Sequence, residues 1–203
     1  MNATTVPGGP KETQHAPVLN IANALTVLRL ILVPVFVWLM LQPGALMRLA
    51  AVVVFAGAAL TDRLDGQLAR SRNLVTDFGK ITDPIADKAL TLSAFLLLSV
   101  NGLLWWWVTI LIIVRELGIT VLRFFMLRRA VMAASRGGKL KTVLQMAGLV
   151  GLLTPWGLIL PAGLAQLLVW GAYLIIAAAL VVTVVTGLDY VRQALRLARG
   201  NGG

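Results

Sequence analysis

Cysteine is absent from the 203 residues, so neither a disulfide nor a thiolate-ligated metal centre can form. Histidine occurs once, as His15, within the polar opening stretch MNATTVPGGPKETQHAP, where a solvated and inert imidazole is expected. That stretch lacks the basic-then-apolar order of a signal peptide, and residues 1–17 are expected to be a disordered cytoplasmic tail. Acidic residues are scarce, eight against 18 Lys and Arg, for a net charge of +10. No internal repeat suggests an inverted-repeat transporter. Long polar stretches are also missing, and the composition is 59% hydrophobic with a mean hydropathy of +0.87, too little polar surface for a soluble domain of this size.

What is present is a series of uncharged apolar runs, at 30–47, 89–114 and 142–188. A spanning helix needs about 20 apolar residues, so the last run has room for two helices and the middle run for parts of two. The expected fold is all-α, a polytopic membrane protein with six transmembrane helices at roughly 25–42, 46–66, 83–101, 105–127, 142–160 and 164–188. Short amphipathic interfacial helices are expected beside them, at 19–27 and in a basic C-terminal segment at 191–203 carrying Arg192, Arg196 and Arg199. With a cytoplasmic N-terminus, Arg48 is the one basic residue among the 18 that falls on the outer side, a strong positive-inside signal. The basic excess then marks the cytoplasmic face of the membrane, and no nucleic-acid partner is expected. Pro34 is expected to kink or be tolerated in the first span, Gln42-Pro43-Gly44 and Asn101-Gly102 to turn the chain, and Trp105-Trp106-Trp107 to anchor at the interface. Residues 136–139 are expected in a basic inner loop.

Five of the eight acidic residues fall in 61–90: Asp62, Asp65, Asp77, Asp83 and Asp87. On a helix Asp62, Asp65, Gly66 and Ala69 stand at offsets 0, +3, +4 and +7, one face, with two nearly side-chain-free positions beside two carboxylates. Gly79, Asp83 and Asp87 repeat an i, i+4 spacing, so two helices can bring four carboxylates together. Four anions at a bilayer demand a cation. Oxygen-only ligands suit a hard divalent ion, Mg2+ or Mn2+, and bridging carboxylates suit two of them clamping a phosphoryl group. Arg63 and Arg70 offer charge to phosphate oxygens. A plainer alternative makes Asp83 an N-cap ahead of Pro84 at the first helical position, with the other aspartates in local ion pairs. Asp77 is out of register and is expected to be a loop or cap residue.

Asp62-x2-Asp65-Gly66-x2-Ala69-Arg70-x8-Gly79-x3-Asp83-x3-Asp87 resembles the signature of the CDP-alcohol phosphotransferase family at every fixed position. The resemblance implies a six-helix, usually homodimeric, integral membrane enzyme over residues 18–190 that moves a substituted phosphate from a CDP-linked donor to an alcohol and releases CMP. It implies Asp62, Asp65, Asp83 and Asp87 as ligands of two metal ions and Asp87 as the catalytic base. Asn23-x2-Thr26-x2-Arg29 looks like the family's donor-side motif, so the CDP donor is expected against Asn23, Thr26, Arg29, Asp62, Gly66, Ala69, Arg70 and Gly79. Capping by Asn23 and an inner-face anchor at Arg29 are the alternatives.

Arg115-Glu116-Leu117 with Arg123, and Gly138-Lys139-x-Lys141-Thr142-x2-Gln145, are similar to segments of bacterial phosphatidylglycerophosphate synthases. That likeness implies CDP-diacylglycerol and glycerol 3-phosphate as substrates. Arg115, Arg123, Lys139 and Lys141 are then candidates for the acceptor's phosphate, with Glu116 in support, although a structural ion pair at Arg115 and Glu116 fits as well. Arg128 and Arg129 read as ordinary inner-face anchors. Inositol-phosphate transfer and CDP-dependent cardiolipin synthesis remain alternatives for the acceptor. A divalent-cation channel would explain the carboxylates but not the Gly-x2-Ala-Arg spacing, and a membrane scaffold would need none of them.

Overall fold

The computed structural model describes the backbone of residues 21–71, 77–126 and 136–200, with side chains for 24–61, 85, 88–121 and 140–192. Every described element is helical: α1 (Ile21–Leu41), α2 (Ala45–Ser71), α3 (Asp77–Val100), α4 (Trp106–Met126), α5 (Arg136–Leu153), a 3-10 turn (Trp156–Leu158) and α6 (Ala162–Gly200). Each expected span has its helix. The short links between α1 and α2 and between α3 and α4 depend on glycine: Gly44 has φ +106° and Gly102 φ +69°, where an L side chain is strained. After α3 the Asn101 side chain donates to the Leu97 carbonyl at 2.7 Å, satisfying one acceptor of the last turn.

The last turn of α5 shows why it stops before 160. Pro155 cannot continue a helix and disfavours helical backbone at Thr154. The four orphaned carbonyls then find other donors. The Val150 oxygen takes the Thr154 N–H at 3.0 Å, and the Gly151 oxygen takes the Trp156 indole N–H at 2.7 Å. Arg48 serves the remaining two, donating from Nε to Leu153 at 2.7 Å and from Nη2 to Leu152. The lone basic residue expected on the outer side is thus a helix cap for α5, favourable also toward the negative end of its dipole.

Packing registers follow from a few pairs. Phe36 and Phe55 pack with ring centroids 5.5 Å apart and planes tilted by 47° across the antiparallel α1–α2 pair, in a core with Leu90, Phe95, Leu98 and Ile112. Ser99 Oγ and Thr109 Oγ1 lie 2.7 Å apart between α3 and α4. α5 and α6 approach closely because Gly148 and Gly151 face Ile176 and Ala172. A Cβ on either glycine would come within 2.5 or 2.6 Å of those side chains. Trp105 meets Tyr173 at 5.5 Å and Arg115 meets Thr183, so α4 and α6 run parallel at a constant offset.

The outward faces carry large apolar side chains, among them Trp38, Val53, Leu167 and Leu174, 59–72% exposed. Among the described residues, Ala24–Leu41 and Ala162–Arg192 are long and apolar enough to cross a bilayer, and Ala45–Thr61, Lys88–Val100 and Leu140–Leu153 are shorter apolar helices. The apolar stretches of α2 and α3 are shortened where the helices carry the acidic motif, and α4 is interrupted by Arg115 and Glu116. The described elements are all helical, and the chain is membrane-associated.

Three local expectations change. No separate interfacial helix forms among the described residues of 19–27, because that stretch is continuous with α1, with no glycine or proline before Pro34 to break it. The basic segment from 191 is likewise the end of the 39-residue α6, whose only internal glycines are tolerated singly. Arg136 opens α5 instead of ending a loop, so Gly137 and Gly138 lie in a first helical turn. The 1–17 tail, Arg128 and Arg129 lie outside the described residues.

Candidate functional site

The two halves of the acidic motif fall on the end of one helix and the start of the next. α2 continues unbroken through Asp62, Asp65, Gly66, Ala69 and Arg70 to Ser71, and α3 begins at Asp77 and continues through Gly79, Asp83 and Asp87. The i, i+3 and i, i+4 spacings are therefore helical registers of the folded chain. Since α3 starts six residues before Asp83, Pro84 is an internal residue and Asp83 is not an N-cap. Asp77 is the first residue of α3. The side chains of these residues, and of Asn23, Arg63, Arg123 and Lys139, lie outside the described ones.

Thr26 and Arg29 are described, and both are buried, with 1% and 0% of their surface exposed. An inner-face anchor would keep its guanidinium in water, so complete burial removes that alternative for Arg29. A buried cation needs anionic compensation. The helix register places one backbone position of the acidic motif at the same level. Two turns back from Phe36 along α1 is Arg29, and two turns on from its packing partner Phe55 along antiparallel α2 is Asp62. With the same rise on both helices, Arg29 stands level with Asp62, and Thr26 with Asp65. Residues 26 and 29 of α1 and residues 62 and 65 of α2 therefore occupy one layer.

A second polar cluster joins α4, α5 and α6. The Arg115 guanidinium crosses to α6, where Nε donates to the Thr183 carbonyl at 3.1 Å and Nη2 to Thr186 Oγ1 at 2.9 Å. Its Nη1 pairs with Glu116 Oε1 at 3.2 Å, and the Lys141 ammonium contacts the same carboxylate oxygen. All three side chains are largely buried, with 12%, 14% and 9% exposed for Arg115, Glu116 and Lys141. Gln145 donates to Thr183 Oγ1 at 3.4 Å. Beside them is a cavity of about 40 Å3, lined by Lys88, Thr91, Glu116, Lys141, Thr142 and Gln145. It has room for a water or two, so a phosphorylated alcohol would have to displace side chains to enter. Among the described residues, Lys88, Lys141 and Arg115 against Glu116 make an excess of two positive charges. Lys88 directly follows Asp87, so α3 connects the cationic cluster to the acidic motif.

The structure therefore brings Arg115, Glu116 and Lys141 together in an ion-paired array, the structural alternative weighed for Arg115 and Glu116. Thr183, Thr186 and Gly187 escaped the sequence reading. Their signal is a polar Thr-x2-Thr-Gly interruption in the otherwise apolar 142–188 run. The larger cavity, about 470 Å3, lies at the far end among the three turns and is lined by Arg48, Leu103, Trp156, Gln166 and Tyr173. Two of the Arg48 nitrogens are committed there to the α5 carbonyls, and the cavity is remote from the carboxylate motif.

The family profile for CDP-alcohol phosphatidyltransferase matches residues 19–188. A protein of Mycobacterium tuberculosis strain H37Rv, named probable phosphatidylglycerophosphate synthase, is 49% identical over 185 residues, 90% of this chain and 85% of its own. A CDP-diacylglycerol–glycerol-3-phosphate 3-phosphatidyltransferase of Bacillus subtilis strain 168 is 36% identical over 187 residues, 84% of this chain and 93% of its own. The similarly named enzyme of Escherichia coli strain K12 is 41% identical over 140 residues, 66% of this chain and 76% of its own.

Proposed function

The chain belongs to the CDP-alcohol phosphatidyltransferase family, and from that footing we propose that it transfers the phosphatidyl group of CDP-diacylglycerol to sn-glycerol 3-phosphate, forming phosphatidylglycerophosphate and CMP. As a member of a transferase family it is an enzyme, and the cation-channel and scaffold readings fall. The observation that supports a phosphate-bearing acceptor is the cationic array of Arg115 and Lys141, held by Glu116 and linked through Lys88 to the last carboxylate position of α3, and the choice of glycerol 3-phosphate among such acceptors follows the names of the relatives. A phosphorylated acceptor needs such charge, and an uncharged alcohol does not.

The donor set fits divalent cations: four carboxylates at helical spacings, oxygen ligands only. Asp62, Asp65, Asp83 and Asp87 would hold two ions, Mg2+ or Mn2+, whose charge when bound offsets the diphosphate and stabilises the entering and leaving oxygens. Arg29 and Arg70 add positive charge on the donor side, with Thr26 and Asn23 as polar contacts. Gly66, Ala69 and Gly79 give the cytidine end close access to the helix backbone. Asp87 takes the proton of the acceptor hydroxyl as its oxygen attacks the lipid-bearing phosphorus, and the bond from that phosphorus to the CMP oxygen breaks. Lys141 and Arg115 hold the acceptor's own phosphate, with Arg123 and Lys139 as further cations. Glu116 keeps the two described cations apart from bulk water and close to each other.

The six helices are read as six spans of a bacterial plasma membrane, with both termini and the acidic motif on the cytoplasmic side and a homodimer as the working unit. The orientation is supported by the three short turns at one end, where Arg48 is the lone basic residue, and the homodimer rests on the family resemblance alone. The test is CMP release by purified protein in lipid nanodiscs with CDP-diacylglycerol, a divalent ion and one acceptor at a time. Glycerol 3-phosphate should support release, and inositol phosphate and phosphatidylglycerol should not. Release with either of those, but not with glycerol 3-phosphate, would reassign the acceptor.

A further inference from the structure

Arg115 belongs to α4, but two of the three bonds that fix its guanidinium are made to α6. Thr186 is suited to this by the commitment of its single hydroxyl hydrogen. Its Oγ1 lies 2.7 Å from the Val182 carbonyl, one helical turn back, and donating there leaves its lone pairs to accept from Arg115 Nη2 at 2.9 Å. The next residue is glycine for a reason of space. A Cβ at Gly187 would lie 3.3 Å from Arg115 Cγ and 3.5 Å from Nε, so the aliphatic stem of the arginine lies directly over the glycine. With Nε on Thr183, Nη2 on Thr186 and Nη1 on Glu116, three of the five guanidinium N–H groups are spent, and the plane of the group is fixed.

We infer that Thr186 and Gly187 are positioning residues that set the Arg115 guanidinium, and through it the phosphate of the acceptor alcohol. This rests on the reading of Arg115 and Lys141 as the acceptor-phosphate site. Two guanidinium N–H groups remain for an incoming phosphate, and their direction is dictated by α6. A Lys at 115 could keep the charge but could not be held at three corners. The array also explains two polar features and a glycine within an apolar helix that packing alone would fill with Leu or Val.

The test is steady-state kinetics of the full-length enzyme in nanodiscs on Thr186→Val, Thr186→Ser and Gly187→Ala, with Lys141→Ala as a control on the site and melting temperature measured for each. Loss of one hydrogen bond to a charged group predicts a rise of about tenfold in KM for glycerol 3-phosphate in Thr186→Val. KM for CDP-diacylglycerol should stay within about twofold, Ser should restore the acceptor KM, and Gly187→Ala should move it the same way. In an Arg115→Gln background Thr186→Val should add nothing, since the two act as one unit. An unchanged acceptor KM in Thr186→Val alongside a raised one in Lys141→Ala overturns the positioning role alone. If neither variant moves it, the acceptor site itself is misassigned. If both KM values, kcat and melting temperature change together and Ser restores none of them, Thr186 is merely structural and the inference fails.

Discussion

Replacing Glu116 with Gln removes one negative charge and very little volume from the centre of the α4–α5–α6 cluster. In the native chain one carboxylate oxygen serves both the Arg115 guanidinium and the Lys141 ammonium, and the three side chains are 9–14% exposed, so bulk water screens them weakly. Hydrogen bonds to charged groups contribute about 1.5–3 kcal/mol each, which puts the pair at roughly 3–6 kcal/mol. The amide oxygen of Gln keeps a weaker acceptor for one cation, so a net loss of about 2–3 kcal/mol is expected. For a chain of this length that is a fall of roughly 5–10 °C in melting temperature. A phosphorylated ligand should act in the opposite direction. With Glu116 neutralised the excess positive charge of the cluster rises by one, so glycerol 3-phosphate relieves more repulsion in the variant than in the wild type. The assay is thermal unfolding in nanodiscs, with and without glycerol 3-phosphate, CDP-diacylglycerol being absent. The variant should melt lower and show the larger ligand-induced upward shift. Equal melting temperatures with equal shifts would refute both the charge-balance reasoning and the placement of the acceptor phosphate here.

Asp87→Asn should reduce turnover by at least about a hundredfold while CDP-diacylglycerol binding stays measurable, because the amide cannot accept the hydroxyl proton; near-normal CMP release would sink the base assignment. Chelation with EDTA should abolish CMP release, and readdition of Mg2+ or Mn2+ should restore it; full activity in the chelator would exclude the metal reading of the four aspartates. Arg48→Ala uncaps the Leu152 and Leu153 carbonyls of α5 and should cost about 2 kcal/mol of stability, measured by melting temperature, with kcat of the folded enzyme unchanged since the site lies at the other end.

Much of the architecture was legible because an apolar run of spanning length has few alternatives. All six expected spans correspond to helices, and the turns at Gly44 and Gly102 fall where Gln42-Pro43-Gly44 and Asn101-Gly102 predicted them. What misled was the use of polarity as a boundary. The basic stretch at 136–139 read as a loop yet is helical, and the amphipathic helix from 191 read as separate yet continues α6, because Arg, Lys and even the Gly137-Gly138 pair do not by themselves end a helix when no proline follows. The spacing of the aspartates conveyed the family, since i, i+3 and i, i+4 carboxylates have meaning before any tertiary contact is known. Thr183, Thr186 and Gly187 carried no such signal. Their role depends on α4 and α6 running parallel with Arg115 level with Thr183, a relation 68 residues apart in sequence that no local pattern encodes.

That distance in sequence also accounts for the silence of the acidic motif on the identity of the alcohol. On the proposed reading the donor side is built by α1 and α2, where Arg29 stands level with Asp62, while the acceptor side is built by α4, α5 and α6 around Glu116. α3 is the shared wall. Asp87 and Lys88 occupy adjacent positions on it, about 100° apart around the helix axis, one position belonging to the carboxylate motif and the other lining the cationic cavity. A change of acceptor alcohol can then be accommodated in α4–α6 with no alteration of the carboxylate spacing. It also follows that exchanging residues of the α4–α6 cluster between relatives with different acceptors should move acceptor preference and leave KM for CDP-diacylglycerol in place. A chimera in which CDP-diacylglycerol KM moves instead would show that the two halves are not separable along α3.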